Sequence, residues 1–235
     1  MRYSLRRTVM VLLFLALTIL CGESAGVSLS LLLRRGVRFF DIAGAMIPPD
    51  MSYGRIVLAP LWATVQMSLA GTGIGAVLGL VGGSFASAYL NPHAWLRVPF
   101  KAVIHLIRTI PALILALLCT FLVGLGTLAV TLARSIYTTA VMARMGYEDM
   151  ENADQKVAKA LEAAGCGRLR AFIRTILPVV LAGYLINVLY MLEANVRHAA
   201  ILGYVGAGGI GLLLNERLAW REYSEVGMIL LLLYG

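Results

Sequence analysis

KVAKALEAAGCGRLRAFIRTILP, Lys156–Pro178, is the longest polar interruption in an otherwise apolar chain. It sets Lys156, Lys159, Arg168, Arg170 and Arg174 among helix-forming residues, then runs through Leu177-Pro178 into a new apolar segment. A short, basic, amphipathic helix held between two membrane spans is a docking handle for something outside the membrane.

Of 235 residues, 60% are hydrophobic and 14% charged, with a mean hydropathy of +0.85. A soluble domain of this size has no use for so much apolar surface, so the composition defines a polytopic membrane protein. Spanning elements must satisfy their own backbone hydrogen bonds in lipid. The apolar runs are long rather than alternating, which selects an all-α helix bundle over a barrel. The net charge of +8 lies mostly beside apolar runs, where it orients the chain in a bilayer and implies no nucleic-acid partner. Cys21, Cys119 and Cys166 are odd in number and scattered, which fits neither a disulfide framework nor a metal site.

Arg2, Arg6 and Arg7 precede an apolar run from Thr8 to Leu20. A cleaved signal would have this shape, but Leu20 stands before Cys21 where a lipoprotein signal wants a small residue, and no A-x-A site follows. An uncleaved first helix with a cytoplasmic N-terminus is expected. Residues 22–56 read as an interfacial helix followed by a turn at Pro48-Pro49-Asp50. Placing them outside sets Arg34, Arg35 and Arg38 against the positive-inside preference, and an interfacial helix is the reading that accommodates them. Further spans are predicted over about Ile56–Leu90, Val103–Val123 (through Pro111), Thr127–Ala143 and Ile176–His198. Loops are predicted at 91–101, at Gly124-Leu125-Gly126 and at 203–223. The stretch 144–175 carries six basic residues and is expected in the cytoplasm. The final apolar run, Val226–Leu233, has eight residues. It is too short to cross about 30 Å of hydrocarbon, and is expected to be either a truncated sixth span or a tail that does not cross. Residues 1–55 are expected as an N-terminal membrane helix with an interfacial segment, and 56–235 as the transmembrane domain.

Within the second span Gly71, Gly75, Gly79 and Gly83 recur every fourth residue, one stripe that lets another helix approach closely. Gly206-x-Gly208-x-x-Gly211 matches a dinucleotide fingerprint, but flanking membrane helices replace the βαβ context that motif needs. Its glycine-rich turn, including Gly209, either exposes backbone N–H groups to an oxyanion or simply turns the chain. No G-x-x-x-x-G-K-[ST], H-E-x-x-H or Cys/His cluster occurs, so no nucleotide, cofactor or metal site and no catalytic residues are read in this chain. Ionisable residues inside spans are functional candidates. Glu193 and Arg197, four apart on one helix face, either line a pathway or neutralise each other. Asn195, His198, Arg134 and Arg108 lie in or at the ends of spans.

At these positions the chain resembles the permeases of type I ABC importers, where a glycine follows an EAA helix and Leu-Pro opens the next span. Here Gly165 precedes Pro178 by thirteen residues. More narrowly it is similar to the phosphonate-type permeases, through Ile47-Pro-Pro-Asp50, Arg108-Thr-Ile-Pro111, Gly124-Leu-Gly126, Thr138-Thr139, Glu193-x-Asn-Val-Arg197 and Val205-Gly-Ala-Gly-Gly-Ile-Gly211, over about residues 45–225. The resemblance implies a multi-pass subunit of a bacterial inner membrane that imports a phosphonate or a related phosphorus oxyanion. It implies an ABC ATPase dimer that carries ATP and Mg, a periplasmic binding protein, and a second permease copy or a paralogue. It places ATPase docking on Val157, Lys159, Ala160, Leu161, Glu162, Ala163, Ala164 and Gly165. The substrate path is expected at Arg108, Thr138, Thr139, Glu193, Asn195, Arg197, Gly206, Gly208 and Gly209. Two departures stand out. In register with Gly165 and Pro178, the family's Glu-Ala-Ala falls on Lys159-Ala160-Leu161, so the literal Glu162-Ala163-Ala164 comes one turn late. Ala112 stands where the family often has an acidic residue. The alternatives are an ATP-independent channel or secondary carrier for anions, a membrane-bound enzyme, for which no nucleophile or metal cluster is visible, and a non-transporting assembly subunit.

Overall fold

A computed structural model describes residues 2–24, 26, 29–202 and 208–234, and all its regular elements are helical. They are α1 (Arg2–Ser24), α2 (Leu29–Ala45), α3 (Gly54–Ala86), α4 (Ala94–Thr109), α5 (Ala112–Val123), α6 (Thr127–Asn152), α7 (Lys156–Ala163), α8 (Arg168–Leu202), α9 (Gly209–Trp220) and α10 (Tyr223–Tyr234). Two segments, Met51–Ala86 and Arg168–His198, are long and apolar enough to cross a membrane alone, and α4 with α5 makes a bent third.

The glycine stripe sets the packing. A Cβ on Gly71 would lie 2.8 Å from Arg134 Cβ, one on Gly75 2.6 Å from Thr138 Cβ, one on Gly79 2.7 Å from Met142 Cβ, and one on Gly83 2.8 Å from the Ala143 carbonyl oxygen. The numbers rise together along both helices, so α3 and α6 run parallel with their backbones nearly touching, as small residues permit in lipid. Parallel neighbours need a return crossing between them, and α4–α5 supplies it. Lys101 pairs with Glu151 at 2.9 Å and His105 Nε2 sits 3.1 Å from the Tyr147 hydroxyl, so α4 climbs α6 backwards. Beyond the break Leu115, Ala116 and Cys119 pack on Ala129, Val130 and Ala133. At 26 residues, α6 is about 39 Å long and spans beside α3, although its polar residues keep its hydropathy low. Arg134, Ser135 and Thr138 are buried against neighbouring helices rather than exposed to lipid.

Several expected boundaries move. The third span is not continuous: the chain bends by 98° between α4 and α5. Pro111 has no N–H to donate and forces Ile110 out of the helical region, to φ −76° and ψ 122°. The expected loop at 91–101 is mostly the first turns of α4, with Pro99 inside the helix. The fourth span continues nine residues past Ala143, and the fifth begins eight residues before Ile176 and carries Pro178 in its interior. The expected loop at 203–223 contains a helix, α9, closed at Arg221 in the left-handed conformation. The apolar tail belongs to α10, whose Ile229 packs with Tyr53, Val57 and Ile210. Helix α2 carries the arginines of the expected interfacial segment, and the turn after it is pinned where the Asp50 carboxylate accepts from the Ser52 amide at 2.9 Å.

Candidate functional site

A line of hydroxyls on α3 organises the interior. Thr64, Ser68 and Thr72 recur every fourth residue, all buried, and each meets a different element. The Ile210 amide, in the first turn of α9, donates to Thr64 Oγ1 at 2.9 Å. The guanidinium of Arg134 on α6 donates to Ser68 Oγ. Asn195 Nδ2 on α8 donates to Thr72 Oγ1 at 2.8 Å and to Thr138 Oγ1 on α6 at 3.0 Å. Three helices and the first turn of a fourth therefore meet along one buried polar seam held together by hydrogen bonds.

The expected path residues distribute unevenly about this seam. Thr138 and Asn195 lie in it. Thr139 folds back on its own helix, donating to the Ser135 carbonyl at 2.6 Å. Glu193 and Arg197 form an ion pair of 3.2 Å on the outward side of α8, with side chains 63% and 45% exposed. Arg108 is half-buried at the end of α4, and its Nε meets no hydrogen-bond partner. Gly208 and Gly209 have φ of 72° and 70°, so the turn itself requires glycine, and a Cβ on Gly209 would lie 2.5 Å from Thr64 Oγ1. Gly206 lies outside the described residues. The sequence reading singled out neither Thr64, Ser68 nor Thr72; their spacing of four, on the helix that bears the glycine stripe, is the signal that finds them.

At one end of the bundle α7 lies beside the start of α8. Ala158 is its buried anchor, while Val157, Lys159, Ala160, Ala163 and Ala164 are exposed. The helix closes on Gly165, whose φ is 89°. The Gly165 amide donates to the Glu162 carbonyl and the Cys166 amide to the Leu161 carbonyl, both at 2.9 Å, the paired bonds of a glycine-terminated helix. A Cβ on Gly165 would meet nothing in this chain, so what demands glycine here is backbone conformation rather than a close intramolecular contact. Glu162 is half-buried and accepts a short hydrogen bond from the Tyr89 hydroxyl, in the connection after α3. Tyr89 also stacks on Phe172 and lies under the Arg168 guanidinium. Burial, followed by the hydrogen bond to Glu162, pushes the Tyr89 phenol up to about 12.

The opposite end is closed by charge. Arg217 on α9 pairs with Glu222 at 2.5 Å and Glu225 at 3.1 Å, and lies over the Tyr53 ring. The Asp50 amide donates to the Ser224 carbonyl at 3.1 Å, tying the turn before α3 to α10. The Ser52 side chain and amide hold the Asp50 carboxyl below its usual value. Among the described residues no group of His, Cys, Asp and Glu is arranged to hold a metal ion.

An all-helical membrane bundle with a polar seam inside and a small helix exposed between two spans is a transporter subunit's plan. The chain belongs to the family of binding-protein-dependent transport system inner membrane components, which matches residues 75–234. It is 32% identical over 192 residues to the phosphite transport system permease protein PtxC of Stutzerimonas stutzeri, covering 82% of this chain and 70% of that one. It is 30% identical over 190 residues to the phosphate-import permease protein PhnE of Mycolicibacterium smegmatis, covering 80% of this chain and 36% of that longer one. Among solved structures, the MetNI methionine ABC transporter in inward-facing conformations aligns with a TM-score of 0.65 at 22% identity, over 76% of this chain and 89% of that chain. That likeness bears on the fold.

Proposed function

We propose that the chain is the permease subunit of an ATP-driven importer, carrying phosphonate or a related phosphorus oxyanion (phosphite, hypophosphite or a phosphate ester) across the inner membrane by alternating access. The substrate class follows the relatives named for phosphite and phosphate transport. The observation that carries the mechanism is α7, a short helix between two spanning helices, anchored by Ala158 and open along Val157, Lys159, Ala160, Ala163 and Ala164. Such a helix fits a groove on a partner. With no phosphate-binding loop in this sequence, the energy source is a separate ABC ATPase dimer that holds ATP and Mg. A periplasmic binding protein delivers the substrate, and a second copy or a paralogue completes the pathway. The α7 end is cytoplasmic, where the six basic residues of 144–175 gather, and α1 starts from the cytoplasm. Residues 1–55 form the N-terminal membrane and interfacial part, and 56–235 the transport domain. The chain carries no chemistry of its own; ATP turnover in the partner selects between two arrangements of the spans.

Purification in mild detergent with mass spectrometry of bound proteins tests this. A P-loop ATPase is expected with the wild type and with Gly165→Ala, which strains the turn without adding bulk. It is expected to be lost with Gly165→Arg, whose long side chain extends into the open space where a partner would seat. Absence of an ATPase from the wild type contradicts the reading.

A further inference from the structure

Arg134 is 4% exposed, its Nε has no hydrogen-bond partner, and among the described residues no carboxylate pairs with it. A guanidinium is charged at every accessible pH, and burying it without a counter-charge is costly. It lines a small space with Ala112, Ala133, Tyr137, Asn195, Leu202 and the exposed His198. Ala112 is the first residue of α5, whose opening N–H groups have no carbonyl within the helix to bond. The break at Pro111 sets this half-helix N-terminus, its positive dipole end, on the lining of the same space as Arg134. Two independent sources of positive potential thus converge inside the membrane, and Glu193, the acid closest in sequence to Asn195, lies on the outward side of α8 with Arg197.

We propose that this space is an intramembrane subsite for a phosphorus oxyanion, with Arg134 and the N-terminal amides of α5 as its anchors. The proposal rests on the import reading above and gives it a location. A tetrahedral oxyanion offers several acceptor oxygens to a guanidinium fork and to backbone amides. Asn195 Nδ2, now donating to Thr72 and Thr138, is the gate: it ties α8 to α3 and α6 across the space. The volume is about 10 Å³, room for one water, so the anion enters when α5 and α8 draw apart. Arg134 donates to Ser68, a neutral partner that an anion readily displaces.

The test measures thermal unfolding of the full chain in detergent, with any bound ATPase retained, against sodium phosphite, phosphate and methylphosphonate. Sodium chloride of matched ionic strength and glycine betaine are the controls. For the wild type, the midpoint rises by about 5–10 °C at a hundredfold excess of phosphite over its Kd, and neither control moves it. Arg134→Gln abolishes that rise while its ligand-free midpoint equals or exceeds the wild type's, since a buried unpaired charge has been removed. A structural arginine would behave in the opposite way. Should Arg134→Gln not fold, Arg134→Lys, which keeps the charge but lacks the fork, weakens phosphite at least tenfold. A rise undiminished in either variant overturns the subsite and leaves the substrate class standing. No rise in the wild type also overturns the subsite, and phosphite uptake by cells carrying or lacking the chain then judges the import reading separately.

Discussion

Asn195 shows how much one side chain holds here. It joins α8 to both α3 and α6, and its removal leaves two hydroxyls in hydrocarbon surroundings. Interhelical hydrogen bonds in membranes contribute about 0.6 kcal/mol on average and up to about 1.7, so Asn195→Ala lowers the unfolding midpoint modestly, while its effect on uptake is much larger. Gly75→Val is harsher, because the added Cβ meets Thr138 Cβ at 2.6 Å and both helices must move. Loss of monodisperse protein in detergent is the expected readout. Tyr89 gives a pH signature. Its phenol is raised in the folded chain, to about 12 from 10. The folded state therefore keeps the proton more tightly, through burial first and the bond to Glu162 second, and the stability this contributes is complete below pH 10 and lost as the pH climbs through 12. The stability gap between wild type and Tyr89→Phe should close over that window; a gap independent of pH contradicts the assignment.

The elements divide into those a sequence reveals and those it hides. The α3 stripe was legible because glycines every fourth residue have one structural use in an apolar helix, and the parallel packing on α6 bears it out. Helix ends were not legible, for a physical reason: hydropathy marks the edge of the bilayer, whereas α6 and α8 run on past it through Arg144, Glu148 and Asp149, and from Arg168 to Arg174. The Pro111 break had a signal, since a residue before proline avoids the helical region. That signal was outweighed by an apolar run long enough to read as one span. Helix α9 was hidden by its glycines: Gly208 and Gly209 make the turn that opens it, and the leucines, Glu216 and Arg217 that follow are helix formers. Helix α7 was legible from its basic, amphipathic pattern. The need for glycine at its end comes from a positive φ, which costs roughly 1–2 kcal/mol when a Cβ is added. Gly165→Ala is therefore expected to lower stability slightly and leave ATPase association intact, as measured by co-purification.

For the molecule as a whole, the arrangement places three features along one axis. An exposed small helix lies at one end, a hydrogen-bonded polar seam in the middle, and at the other end a charged clasp of Arg217 with Glu222 and Glu225. Under the proposed function, docking at α7 would reach the seam through α8, which carries Asn195. Arg217→Met should loosen the clasp and raise basal substrate leak without abolishing ATPase association. The most direct test of the whole account is uptake of phosphite at low micromolar concentration by native cells, by cells from which this chain is deleted, and by deleted cells given it back. The account predicts energy-dependent uptake that disappears with the chain and returns with it. Uptake of phosphite, phosphate and methylphosphonate that is unchanged by the deletion, with a loss confined to some other solute, would contradict it.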